Sequence, residues 1–267
     1  MFKLKRNKKN DIHEMGTGRI ISAETDFNTV ETYKAIRTNI MFSLPKKEYG
    51  KVICITSSAP GEGKTTTCTN LAITFAQTGA KVALVDCDLR KARIHRYLEI
   101  KRDVGVSNIL CGFSEIENAL VKNVRENLDV LTAGEIPLNP AELLQTQEFD
   151  NLIDKLRKEY DYVFIDTPPI TVVTDAVIVS KLCDGIVIVI RVDHTTFDML
   201  DEAAETLEKS GKPILGAIML GGESKAKKYG YYKSGKYKYK HGYKYGYKYN
   251  YHYGDDIETE GKQGKKW

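Results

Sequence analysis

The segment "SSAPGEGKTTT" (57–67) limits the possible folds more than any other part of this 267-residue chain. An apolar run, "KVICITS" (51–57), leads into it, and a helical pattern from Lys64 to about Gln77 leads out. Strand, glycine-rich turn and helix in that order make a phosphate cradle. Gly61 and Gly63 let backbone N–H groups converge at a helix N-terminus, where the helix dipole also favours negative charge. Ser58 to Thr65 fits the P-loop spacing x-x-x-x-x-G-K-T, with Ser58 where a glycine is usual. Lys64 is placed to reach the β- and γ-phosphates of a nucleoside triphosphate, and the Thr65 hydroxyl to ligate Mg²⁺. Gly61, Glu62, Gly63, Lys64, Thr65 and Thr66 are the candidate nucleotide-binding residues.

Five more short apolar runs follow: "KVALVD" (81–86), "LDVLTAG" (128–134), "YVFID" (162–166), "GIVIVIRV" (185–192) and "ILGAIML" (214–220). Helical periodicity is visible from Asp26 to "SLP", at about 140–158, at 174–182 and at 197–210. Near-continuous Val/Ile runs separated by helices are the mark of strands buried on both faces. The expected fold is therefore α/β, a P-loop NTPase-type parallel sheet with helices on both faces. Residues 1–25 read as a flexible basic arm, 26–222 as the catalytic domain and 223–267 as a low-complexity Tyr/Lys tail, expected to be disordered.

Charge is unevenly placed. The first ten residues carry five positive charges and no acid, and residues 224–253 carry nine lysines and no acid. With a net charge of +4, the remainder of the chain stands at −10. An acidic body with basic extensions argues against a globally basic nucleic-acid-binding domain and suits attraction to anionic headgroups or an acidic partner. Cys54, Cys68, Cys87, Cys111 and Cys183 form no C-x-x-C pair and read as thiols in a reducing compartment. No apolar run approaches the roughly 18–20 residues of a membrane span, and no signal peptide is visible. The expectation is a cytoplasmic protein.

Two acidic motifs complete the chemistry. "ALVDCDLRKAR" ends the second strand with Asp86 and Asp88, two apart and so on one side of an extended chain, at the sheet edge where the phosphates sit. Paired carboxylates suit Mg²⁺ coordination together with acceptance of a proton from a hydroxyl nucleophile. "YVFIDTPP" ends a later strand in Asp166, the position of a further Mg²⁺ contact. Arg90 either neutralises phosphate or pairs with an acid. The candidate catalytic set is Lys64, Asp86, Asp88 and Asp166, and the candidate metal set Thr65, Asp88 and Asp166.

A P-loop, then "LVDCDLR", then "FIDTPP", then a tyrosine-rich tail resembles the bacterial tyrosine kinases of capsule and exopolysaccharide synthesis, most of all the soluble Gram-positive type. "ETYKAIRTNI" (31–40), "IPLNPAELL" (136–144) and "TDA" (174–176) match the same family, and the resemblance covers roughly residues 20 to 255. It implies transfer of the ATP γ-phosphoryl group to tyrosines of the tail, with ATP and Mg²⁺ as cofactors and Asp86 the preferred base. The implied acceptors are Tyr229, Tyr231, Tyr232, Tyr237, Tyr239, Tyr243, Tyr245, Tyr247, Tyr249, Tyr251 and Tyr253. It also implies a membrane-anchored activator of the polysaccharide co-polymerase type, a cognate tyrosine phosphatase, and a position at the inner face of the cell membrane. Glu31, Lys34 and Arg37 fall where the family has an E-x-x-R-x-x-R helix for ring-type homo-oligomers. Lys34 replaces the middle arginine, keeping charge but losing bidentate pairing. After the last strand, "AIMLGG" (217–222) lacks the asparagine expected to read adenine, so ATP-over-GTP preference stays open.

Two other classes compete. A nucleotide-switched ATPase of the cell-division and partition type would share the P-loop and D-x-D features, but such proteins usually carry a lysine where this chain has Ala59. A single-stranded nucleic-acid binder would use the tyrosine/lysine alternation for stacking, without support from the acidic body.

Overall fold

The computed structural model describes residues 20–46 and 49–221. The basic N-terminal run and the tail from residue 222, with all eleven candidate acceptor tyrosines, lie outside the described residues. Seven strands, β1 (Lys51–Ser57), β2 (Val82–Asp86), β3 (Leu120–Arg125), β4 (Leu128–Leu131), β5 (Tyr162–Asp166), β6 (Gly185–Arg191) and β7 (Ile214–Leu220), form one sheet in the order β3-β4-β2-β5-β1-β6-β7. Every neighbouring pair is parallel except β3 with β4. The interior position of β1, between β5 and β6, places the loop that follows it well inside the sheet's carboxyl edge.

Alternating side chains of β1 explain why both faces are covered. Val52 and Cys54 join one apolar cluster and Ile53 and Ile55 the other, and all four are fully buried. Helix α1 (Phe27–Ser43) and helix α2 (Lys64–Ala76) cover the Ile53 side, where Phe75 meets Tyr162 and Phe164 edge-on at 4.6 and 4.9 Å. Between β2 and β3 lie the short α3 (Ile94–Tyr97), α4 (Val106–Leu110) and α5 (Ile116–Ala119). The other face is packed by α6 (Pro140–Leu143), α7 (Gln147–Glu159), α8 (Asp175–Ser180) and α9 (Phe197–Glu208). Helix α7 turns Phe149, Leu152, Ile153 and Leu156 inward at 3- and 4-residue spacing.

Three local features depart from the sequence expectation, each for a physical reason. The sheet is not wholly parallel, because the edge strand "LVKNVR" returns antiparallel over a bulge with Asn123 at φ 53°. Five of its six residues are only partly buried or exposed, so it carries no apolar run to be seen. The run "LDVLTAG" stops being strand at Leu131, because the Thr132 and Ala133 carbonyls accept from the N–H groups of Val106 and Ser107 at 2.8 and 3.0 Å. The expected helix at 140–158 divides into α6 and α7, with Thr146 as the second N-cap.

Candidate active site

The glycine-rich loop closes on itself before the helix begins. Gly63 is the N-cap of α2 at φ 92°, where a β-carbon would also lie 2.6 Å from Leu220 Cδ1. That left-handed backbone needs glycine. The first helical bond runs from Thr67 N to Gly63 O at 2.9 Å, so the N–H groups of Lys64, Thr65 and Thr66 precede it and remain available to an anion. Gly61, at φ 85° with nothing near its absent side chain, forms the exposed lip. Glu62 behaves differently. Its carboxylate is buried, accepting from Ser58 Oγ at 2.8 Å, from Ala59 N at 2.8 Å and from the Thr195 hydroxyl. Glu62 thus pins the loop to the segment after β6, and its side chain is not offered to a nucleotide.

Lys64, Asp88 and Asp166 converge. Lys64 Nζ lies 2.8 Å from Asp88 Oδ2, 3.6 Å from Asp166 Oδ2 and 3.3 Å from Thr65 Oγ1. Burial opposes the charge on Lys64, but Asp166, Asp88 and Asp86 together raise its pKa above the usual lysine value. Asp86 and Asp166 are paired in register at the ends of β2 and β5 and are fully buried. Burial, then the Asp166 charge, pushes the Asp86 carboxyl well above the usual carboxylate range, and burial raises Asp166 as well. Asp86 accepts only long bonds, from Asp88 N at 3.2 Å and Ile94 N at 3.3 Å. Neither oxygen of Asp166 has a donor at close hydrogen-bonding distance, and the Lys64 ammonium at 3.6 Å and the Thr65 hydroxyl only partly offset its burial. The two acids of "DCD" do not point alike: Asp88 faces Lys64 and the cleft, whereas Asp86 lies beneath it.

A buried carboxylate that leans on a lysine ammonium 3.6 Å away rather than on a close hydrogen bond can take a metal cation. Thr65, Asp88 and Asp166 offer the hard oxygen donors that Mg²⁺ takes, so the residues fit the ion. Among the described residues no three acidic, histidine or cysteine side chains cluster into a self-sufficient metal site. Mg²⁺ held by one or two carboxylates plus nucleotide phosphates needs none.

A cleft of about 210 Å³ opens beside this centre. Its floor is Gly63, Lys64 and Thr65; one wall comes from the segment after β2 and the other from Pro168, Pro169, Val172 and Val173 after β5. The second wall is fastened to β1 and to the loop: Thr56 Oγ1 donates to Pro168 O at 2.9 Å, and Thr171 Oγ1 to Ser58 O at 2.6 Å. Arg90, left open by sequence, grips an acid. Its Nε and Nη2 donate to the buried Asp175 at 2.9 and 3.1 Å, tying the two walls together. Asp175 and Thr195 were missed as site residues. The "TDA" match was the signal for Asp175; nothing local marks Thr195, whose partner is 133 residues away.

The expected oligomerisation residues sit on α1. Lys34 Nζ pairs with Glu31 at 2.7 Å, both half exposed, while Arg37 Nη1 donates to Thr74 O of α2 at 2.8 Å. Arg37 is therefore engaged within its own chain.

A glycine cradle and three strand-end carboxylates on a mostly parallel sheet define a P-loop nucleotide-binding domain, and the model of the AAA domain family matches residues 50–214, more than half of the chain. The MinD septum-site protein of Pyrococcus horikoshii, solved with Mg-ADP, has this architecture at 25% identity, covering 64% of this chain and 70% of that one with a TM-score of 0.56. Closer likeness narrows the class. Tyrosine-protein kinase YwqD of Bacillus subtilis (strain 168) is 42% identical over 226 residues, 84% of this chain and 95% of that protein. The kinase domain of the Escherichia coli tyrosine kinase ETK superposes with a TM-score of 0.70 at 33% identity, over 76% of this chain and 80% of that one. The chain belongs to the bacterial tyrosine-protein kinase family.

Proposed function

We propose that this kinase transfers the γ-phosphoryl group of ATP to tyrosines of its own C-terminal tail, in trans between copies. The observation that carries the reading is the convergence of Lys64, Asp88 and Asp166 under a glycine cradle whose helix N–H groups are unspent. When phosphates enter, Lys64 turns from the carboxylates to the β- and γ-phosphates. Thr65, Asp88 and Asp166 would hold Mg²⁺, which would neutralise part of the phosphate charge. With those acids engaged, Asp86 is the carboxylate left to act as base. The phenol oxygen bonds to the γ-phosphorus, the bond from phosphorus to the β–γ bridging oxygen breaks, ADP leaves, and the phenol proton passes to Asp86.

The wider setting follows the family. A membrane-anchored activator of the polysaccharide co-polymerase type brings the chain to the inner face of the membrane, and a tyrosine phosphatase resets the tail. Capsular or exopolysaccharide synthesis is the process regulated. Among the described residues no helix is long and apolar enough to cross a membrane. Assembly responds to tail charge. Residues 224–253 start with nine lysines and no acid, and each phosphate adds about −1.5 to −2, so about five or six neutralise the segment. A second reading, a nucleotide-switched ATPase, is favoured by the MinD likeness alone. The purified Lys64→Met chain separates the readings from each other and from misfolding. We expect it to show no phosphotyrosine by mass spectrometry while its circular dichroism matches wild type; persistent phosphotyrosine would refute the assignment. Wild-type chain that hydrolyses ATP but never labels tyrosine would favour the switch.

A further inference from the structure

The cleft is chemically two-sided. Pro168, Pro169, Val172 and Val173 make one wall apolar, with Val172 59% exposed. The other wall carries three cations in a row of four residues, Arg90, Lys91 and Arg93. The turn that presents them is set by Asp88, whose Oδ1 accepts from Lys91 N at 3.0 Å. Arg90 is committed to Asp175. Lys91 and Arg93 are exposed, and their side chains have no hydrogen-bond or ion-pair partner among the described residues. An apolar wall facing two unneutralised cations suits an aromatic ring that carries an anion.

We propose that Lys91 and Arg93 form an anion subsite for a phosphotyrosine lying two residues from the acceptor tyrosine, so that one phosphate on the tail primes the next. The inference rests on the reading of the tail as substrate. In an extended chain, residues two apart share a face at a separation of about 7 Å. From Tyr237 to Tyr253 every odd position but His241 is tyrosine, so an extended tail with an acceptor ring at the γ-phosphate carries another ring about 7 Å along on the same face. Electrostatics gives the order of events. The unmodified tail is lysine-rich and is repelled by Lys91 and Arg93. A dianionic phosphate beside the acceptor turns that repulsion into charge-assisted hydrogen bonds. The first transfer is then the slow one, and later transfers spread to positions two apart.

The test uses the full-length chain as enzyme and two synthetic peptides spanning residues 236–253. One carries a single phosphate on Tyr245 and the other Tyr245→Phe. Initial phosphorylation of Tyr243 and Tyr247 is read by mass spectrometry. Wild-type chain is expected to prefer the phosphorylated peptide by about tenfold in kcat/KM. That preference should fall to about twofold or less in a chain carrying both Lys91→Ala and Arg93→Ala, and should survive largely intact in Lys91→Arg with Arg93→Lys. Equal rates on both peptides with wild type would overturn the subsite. So would a preference that persists in the double alanine chain, since the phosphate is then read elsewhere. An equal loss on both peptides would assign the two cations to the nucleotide instead and overturn it too. If wild type hydrolyses ATP yet phosphorylates neither peptide, the tail-substrate reading fails and takes the subsite with it.

Discussion

Asp86 and Asp166 face one another in register across β2 and β5, both fully buried and both with carboxyl pKa values raised by that burial. A raised carboxyl binds its proton more tightly in the folded than in the unfolded chain. Stability is therefore greatest near the ordinary carboxylate pKa and declines as pH rises toward the folded-state values. We expect urea melts to show this decline, with a slope of up to about 1.4 kcal/mol per pH unit for each proton involved. Asp86→Asn should flatten the profile. A wild-type profile that rises over the same range would contradict the placement of these acids. Binding of Mg²⁺ and nucleotide should release protons, seen as a dependence of calorimetric heat on buffer ionisation enthalpy.

The two acids of "DCD" should separate in kinetics, because Asp88 faces Lys64 while Asp86 lies behind it. Asp88→Asn is expected to raise the Mg²⁺ concentration needed for half-maximal rate by roughly tenfold or more, as loss of a carboxylate ligand does. Asp86→Asn is expected to lower kcat by about 10²–10⁴ with that requirement little changed. Steady-state rates over a Mg²⁺ titration read both, and the reverse pattern would exchange the two roles.

Arg90 and Asp175 form the tie between the cleft walls. Arg90→Ala strands a fully buried carboxylate, whereas Asp175→Asn leaves only a partly exposed guanidinium. Because the arginine side chain is 39% exposed, the buried-pair value is discounted to about 1–3 kcal/mol for Arg90→Ala. Thermal melts should place Arg90→Ala below Asp175→Asn, and equal melting of both with wild type would remove the tie from the account.

Glu62 holds the loop by accepting from Ser58, Ala59 and Thr195. Glu62→Ala leaves buried donors unmet and is expected to destabilise the chain by about 2–3 kcal/mol. It should also weaken nucleotide binding, because the cradle loses its fixed shape. Glu62→Gln, which keeps one acceptor, should fall between. Fluorescent-nucleotide titration and melting of the three chains check this; an alanine chain that binds like wild type would show that the pin is dispensable.

The features that the amino-acid sequence makes legible follow from period and chemistry. Six of the seven strands announce themselves as apolar runs: five because strands buried on both faces take apolar residues at nearly every position, and β7, an edge with only Ile218 buried, by its composition alone. The cradle is legible because only glycine takes the backbone of Gly63 and because lysine and threonine have one sensible use beside it. β3 is not legible, being an edge with most of its side chains in or near solvent. Nor are α3, α4 and α5, which at four or five residues are too short to show a period.

The amino-acid sequence by itself determined the parallel core, the nucleotide cradle and which carboxylates stand at the strand ends, since each depends on local backbone geometry or on spacing along the chain. Tertiary structure alone decided that Asp88 rather than Asp86 faces Lys64, that Arg90 binds Asp175, that Glu62 turns inward to Thr195, and that Arg37 is taken up by Thr74. Except for the Asp86–Asp88 choice, these pairings join residues 37 to 133 positions apart. The Asp86–Asp88 choice itself turns on Lys64, 24 residues from Asp88. No propensity or period links such distant positions. The order of strands in the sheet brings them together, and burial then makes each polar group find whichever partner lies within reach.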